Sequence, residues 1–150
     1  MSASEDVHIL VIFSCETGAV EQLALAAAVG AVQARASIRL RRMVDPAGAH
    51  NVHTERMDQD YVAPREADIA WADGLVLAVH ESFFPQIEAL GNLSGRPVGS
   101  LTKGDLEIRG ELREMNVLSD RNNGPVDRDG ARLVGRGVAE TVRVRRGSSQ

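Results

Sequence analysis

Residues 7–13, Val7-His8-Ile9-Leu10-Val11-Ile12-Phe13, are apolar at every position but one, and the run stops at Ser14. A strand with one solvated face alternates. A run without alternation predicts a strand covered on both faces, as in a parallel sheet. The residues that follow agree. Ser14-Cys15-Glu16-Thr17-Gly18 reads as a turn, and Val20 to Ala34 as a helix with Leu23, Ala27 and Ala31 on one face and Val20, Ala24 and Ala28 close by. Small residues on that face suit close packing. Ser37 to Val44 alternates Ile38, Leu40 and Arg42 with Arg39 and Arg41, which predicts a half-solvated edge strand.

Asp45 to Asp60 contains Pro46, Gly48, His50, Asn51 and His53 and shows neither period. It reads as a long loop. Pro64 opens a short helix over Arg65 to Trp71, Asp73-Gly74 breaks it, and Leu75 to Val79 is another buried strand. A short helix over Phe83 to Asn92, a strand over Pro97 to Leu101, a helix over Asp105 to Met115 and a brief strand at Val117-Leu118 continue the alternation. Asp127 to Val144 closes it as an amphipathic helix, with Leu133, Val134, Val138 and Val142 toward the core and Gly147 to Gln150 as a frayed tail. Strands alternating with helices along the chain predict an α/β domain, a parallel sheet covered by helices on both faces.

Composition narrows the function classes. A chain of 150 residues suits one domain. At that size roughly 68–70% of the unfolded surface is buried, so the core needs no disulfide or metal. Cys15 is the only cysteine, which rules out an internal disulfide and points to a reducing cytoplasm. No apolar run nears the ~20 residues of a membrane span. Met1 to Asp6 is polar and acidic, unlike a secretory leader. The net charge of −4 argues against nucleic acid as a partner.

In an open sheet of this kind, ligands bind beyond the carboxyl ends of the strands. The loops there are Ser14–Val20, His80–Phe84, Thr102–Asp105 and Ser119–Gly124. Ser14 to Gly18 is either a phosphate cradle at a helix start or a turn capped by Thr17. Neither GxGxxG nor GxxxxGK[ST] follows the first strand, which argues against a nicotinamide Rossmann domain and a nucleoside triphosphatase. His80 at a strand end is a general acid or base, or a histidine bonded within its loop. Cys15 is an activated thiol near a helix start, or a small buried apolar residue. His50, His53, Glu55 and Asp58 have a metal-like spacing without a second ligand pair, so metal binding is not expected. The runs Arg39-Arg41-Arg42 and Arg143-Arg145-Arg146 read as a surface for an anionic partner, or as a solvated edge and a solvated helix end. Phe83-Phe84 is a platform for an aromatic ligand, or core.

The first strand, then Ser14-x-x-Thr17-Gly18, then a helix containing Leu23-Ala24, resembles the first loop of the flavodoxin-like superfamily. The resemblance is strongest to its NAD(P)H:quinone oxidoreductase branch, once called Trp repressor-binding proteins. Ala63 to Leu77 is similar to that branch's short helix, acidic turn and third strand. Leu93-Ser94-Gly95-Arg96-Pro97-Val98 resembles the approach to its fourth strand, and Asp127 to Val142 its closing helix. The resemblance implies a three-layer sandwich with a five-stranded parallel sheet, order 2-1-3-4-5, and the helices from Val20 and Asp127 on one face. It implies FMN, with NAD(P)H as co-substrate and a quinone-like or other small aromatic acceptor. Ser14, Glu16, Thr17, Gly18, Ala19 and Val20 would then surround the FMN phosphate. His80-Glu81-Ser82-Phe83-Phe84 would border one side of the ring, and Thr102-Lys103-Gly104 the other. A homo-oligomer, dimer or tetramer, is implied as well. A second reading of the same fold is a protein that has lost flavin, either a binding protein or a cofactor-free catalyst for an aromatic or polyketide-like molecule. His80 and Glu81 would then occupy the space of the ring and carry any catalysis.

Overall fold

In the computed structural model the opening apolar run is β1 (Val7–Phe13), and the structure describes residues 6–14, 18–44, 51–79, 83–91, 96–101 and 128–148. β1 is flanked in parallel by β2 (Ala36–Arg42) and β3 (Gly74–Ala78), and β4 (Val98–Ser100) pairs in parallel with β3. The order is therefore β2-β1-β3-β4. Val7, Ile9, Val11 and Phe13 belong to one core, while Leu10 and Ile12 belong to the other, and none is exposed. Burial on both faces explains why the run does not alternate. The sheet has four strands among the described residues instead of the expected five. The helix expected over Asp105 to Met115 and the strand at Val117-Leu118 lie outside those residues.

The helices are α1 (Gly18–Gln33), α2 (Val52–Asp60), α3 (Glu66–Trp71), α4 (Phe84–Leu90) and α5 (Arg128–Ser148). As expected, the first and last share one face. Ala24, Ala27, Ala28 and Ala31 of α1 and Ala131, Val134, Val138, Ala139 and Val142 of α5 form one core with the sheet. Ile69 of α3 and Ile87 of α4 lie in the core on the other face. The alanine face of α1 meets α5 backbone to backbone: a Cβ at Gly30 would lie 1.9 Å from the Arg132 carbonyl oxygen, and one at Gly135 1.9 Å from that of Ala27.

Several sequence expectations are corrected. Leu133 does not face the core but is 55% exposed. It lies one residue, or about 100° of helix rotation, from buried Val134. Gly147 and Ser148 continue α5 and are no frayed tail. The expected loop over Asp45 to Asp60 contains α2. Its start is a reciprocal cap: the Asn51 carboxamide oxygen accepts from the Thr54 backbone N–H at 3.1 Å, and the Thr54 hydroxyl oxygen accepts from that of Asn51 at 2.8 Å. Met57 is fully buried and anchors the helix. One apolar anchor among polar residues makes no period, so the helix is not visible as a pattern.

Five arginines of the two runs, Arg39, Arg41, Arg42, Arg143 and Arg146, are only partly solvated or buried and are tied to partners. Asp68 of α3, 3% exposed, accepts from Arg39 and Arg41 at 3.0 Å each and from the Arg65 backbone N–H at 3.0 Å. Arg39 also lies 4.3 Å over the Trp71 ring, against which His8 stacks at 4.5 Å. Arg42 is buried and pairs with Asp58. Arg143 donates to the carbonyls of Ala34 and Arg35 just past α1, and Arg146 pairs with Asp73 at 2.8 Å. No helix among the described residues is long and apolar enough to cross a membrane.

Candidate functional site

The strands end together at one edge of the sheet. The Ser14 N–H donates to the Ala78 carbonyl at 3.1 Å, that of Met43 to Phe13 at 2.8 Å, and that of Leu101 to Leu77 at 2.9 Å. The chain runs outward from β1 to β2 and then crosses back to β3. The order thus reverses between β1 and β3, the position at which open sheets of this kind bind ligands. α1 starts at this edge, and its first N–H groups have no partner within the helix.

The structure brings part of the expected site together. Ser14 is half-buried at the end of β1, Gly18 and Ala19 begin α1, and Val20 is half-buried behind them. Cys15, Glu16, Thr17, His80, Glu81, Ser82, Thr102, Lys103 and Gly104 lie outside the described residues. Phe83 falls on the core side of its two readings. It is 8% exposed and packs in the core that contains Leu77, Val79 and Ile87. Phe84 opens α4. Asp58 is engaged by Arg42, and no group of three metal-ligating side chains occurs among the described residues.

The edge also holds a polar cluster that sequence reading did not single out. Glu21, in the first turn of α1, is 3% exposed. Its carboxylate accepts from Arg56 of α2 through both oxygens and from the Tyr61 hydroxyl at 2.6 Å. Arg56 also pairs with Asp60 at 3.0 Å, and Tyr61 meets Phe13 edge-on at 4.9 Å. The Arg56 hydrogen bonds, helped by Tyr61, hold the Glu21 carboxyl below its ordinary value against the opposing effect of burial. Burial and the neighbouring carboxylate push the Tyr61 phenol up to about 12. An acidic residue in a first helical turn suits the dipole and draws no notice by itself. The discoverable signal was the i,i+4 pair Arg56 and Asp60, which marks α2 as a helix. Tyr61→Phe removes a hydrogen bond to a buried charge and is expected to lower stability by about 1.5 kcal/mol in a urea melt.

These observations test whether a phosphate group fits. A bare carboxylate in the first turn of α1 would repel an anion, but Arg56 neutralises Glu21. Ser14 supplies a hydroxyl, and the start of α1 supplies backbone donors. The described residues fit the phosphate end of FMN.

Among solved structures, the chain is similar to the diflavin flavoprotein A3 from Nostoc sp., with a TM-score of 0.50 and 16% identity over 97% of this chain and 99% of that one. The fold is flavodoxin-like. No protein-family profile matches the chain. No curated protein matches it either. In this flavodoxin-like fold the reversal between β1 and β3 sits beside Ser14 and the start of α1, so fold and local chemistry point to one edge.

Proposed function

We propose that the protein binds FMN at this edge and serves as an oxidoreductase that passes electrons from NAD(P)H to a quinone-like or other small aromatic acceptor. The observation that carries the reading is the start of α1 at the reversal of strand order, with the buried Glu21 carboxylate of its first turn already neutralised by Arg56. The flavodoxin-like fold, met in a solved flavoprotein, supports it. When bound, FMN would supply the two-electron chemistry, taking hydride from the nicotinamide and delivering electrons to the acceptor. The chain's own part is to bind and orient. Ser14, Thr17, Gly18, Ala19 and Val20 would hold the phosphate, with Glu16 in the same loop. His80, Glu81, Ser82, Phe84, Thr102, Lys103 and Gly104 would line the space for ring and acceptor. The proposed location is cytoplasmic and the proposed assembly a homo-oligomer, which sedimentation tests.

Titration with FMN, followed by flavin fluorescence, decides the cofactor. Thr17→Ala is expected to weaken FMN by about 1.5–3 kcal/mol, roughly ten- to a hundredfold, through loss of one charge-assisted hydrogen bond. If Thr17 only caps α1, the variant instead loses ~1 kcal/mol of stability and affinity is unchanged. NAD(P)H oxidation in the presence of a quinone then tests the reaction. A colourless protein that takes up no added FMN sinks the proposal and leaves the flavin-free reading.

A further inference from the structure

We propose that the outer face of α1 is the interface between two copies of this chain, packed α1 against α1 about a two-fold axis that runs along the helix. It stands apart from the flavin reading and gives the proposed homo-oligomer a surface. α1 covers the sheet with Ala24, Ala27, Ala28 and Ala31, and the opposite side of such a helix is ordinarily charged and solvated. Here it is not. In a chain that is 25% charged, α1 contains a single charged residue, Glu21, which is buried and paired with Arg56. The residues that face outward are Gln22, Leu25, Val29, Val32 and Gln33. Leu25, Val29 and Val32 are 36%, 50% and 54% exposed and follow one another along a single face. Scattered apolar residues on a surface are ordinary, but a continuous uncharged stripe marks a contact.

Spacing and flanking charge identify a second copy as the partner. Gln22, Leu25, Val29 and Val32 recur at steps of three and four, the seam spacing of two helices packed side by side. Val29 at the first position of that repeat and Leu25 at the fourth favour a parallel pair. Glu21, which holds Arg56 of α2, and Gly30, which abuts α5, are nine residues apart and lie on opposite sides of α1. Val29 is about 80° from the first and about 100° from the second, so the stripe runs between the two flanks. Their charges are opposite. α2 carries Glu55, Asp58 and Asp60 against Arg56, whereas the start of α5 carries Arg128, Arg132 and Arg136 against Asp129. An axis along α1 exchanges the flanks, so the acidic α2 of each copy meets the basic start of α5 of the other. An axis across α1 would set like against like. α1 is about 24 Å long, and with its flanks at helix-packing distance the face covers roughly 600 Å². That is the lower end of what each partner buries in a specific interface.

Sedimentation velocity over a concentration series reads the assembly, and circular dichroism of the same samples reads the fold. The full chain is expected to be a concentration-dependent dimer. Val29→Glu, at a half-exposed position, should keep the spectrum and weaken the dimer roughly a hundredfold, because two carboxylates then meet in the seam. Val32→Lys should act alike with the opposite charge. Ala70→Glu, on the exposed side of α3 across the sheet, should leave the dimer unchanged. Val29→Cys should give a disulfide-linked dimer under mild oxidation, above the level of the parent chain, since a residue on the axis faces its own copy. Raising the salt concentration should weaken the dimer, because the flanks attract. A monomeric full chain overturns the inference and the homo-oligomer together, and leaves the FMN titration to judge the flavin reading. A dimer that survives both Val29→Glu and Val32→Lys is built on another face and overturns the inference alone. One that tightens with salt overturns the axis along α1. If the charged variants do not fold, Val29→Cys decides, and absence of the link overturns the inference.

Discussion

Replacing Gly135 by alanine is expected to cost about 3 kcal/mol of folding stability, although alanine is the better helix former by roughly 1 kcal/mol. The reason is the crossing of α1 and α5. The new Cβ would lie 1.9 Å from the Ala27 carbonyl oxygen and 2.7 Å from its carbon. Both are backbone atoms, so no side chain can swing aside. The helices must move apart, and separation opens gaps around Ala27, Ala31, Ala131 and Val134. Gly30→Ala meets the Arg132 carbonyl oxygen at the same 1.9 Å and should behave alike. The two changes together should cost less than their sum, since helices already parted have room for the second methyl. Leu133→Ala, on the exposed side of the same helix, should stay within about 0.5 kcal/mol. Denaturant melts of the four variants check the set, and a stable Gly135→Ala protein would mean that the crossing is not this close.

Asp68→Ala is expected to cost about 3 kcal/mol. The carboxylate is the shared partner of Arg39, Arg41 and the Arg65 N–H. Without it, two guanidinium groups lose their shared counter-charge, and one helix-start donor loses its acceptor. The value is held below the top of the range for buried pairs because the Arg39 and Arg41 side chains are 36% and 22% exposed. Burial alone would raise the Asp68 pKa, but the hydrogen bonds from Arg41, Arg65 and Arg39 outweigh it, and the net direction is down. A depressed folded value contributes stability above the unfolded value of about 4, and that contribution is lost as pH falls through the folded value. Glu21 is lowered as well and adds to the slope in the same sense. Stability should therefore fall on acidification below about pH 4. Asp68→Asn should fall less steeply there, and parallel slopes for the two proteins would refute the assignment.

Legibility followed the kind of force at work in each segment. The strands β1 and β3 were readable because burial on two faces demands an apolar run, and the residues carry that demand openly. Pro64 marked the approach to α3, and the edge position of β2 followed from its alternation. The shared face of α1 and α5 came through resemblance and holds in the structure. Of the expected site, the structure places Ser14 at the end of β1 and Gly18 and Ala19 at the start of α1. The sequence placed Phe83 equally well at a ligand or in the core, because an apolar ring suits both. The structure puts it in the core.

What the sequence determined by itself was therefore the class of fold, written in local patterns of burial and turn formation. Only the tertiary structure decided how the charges are spent. Arg39, Arg41 and Arg42 read alike as solvated cations, yet each is matched to a carboxylate 16 to 29 positions away in the chain. The same holds for α2, fastened by Met57 and by the bond from Arg56 to Glu21. Ion pairs have no sequence period, and a helix held by one buried apolar side chain has none either. Their partners exist only once the sheet has brought β2, α1 and α3 together.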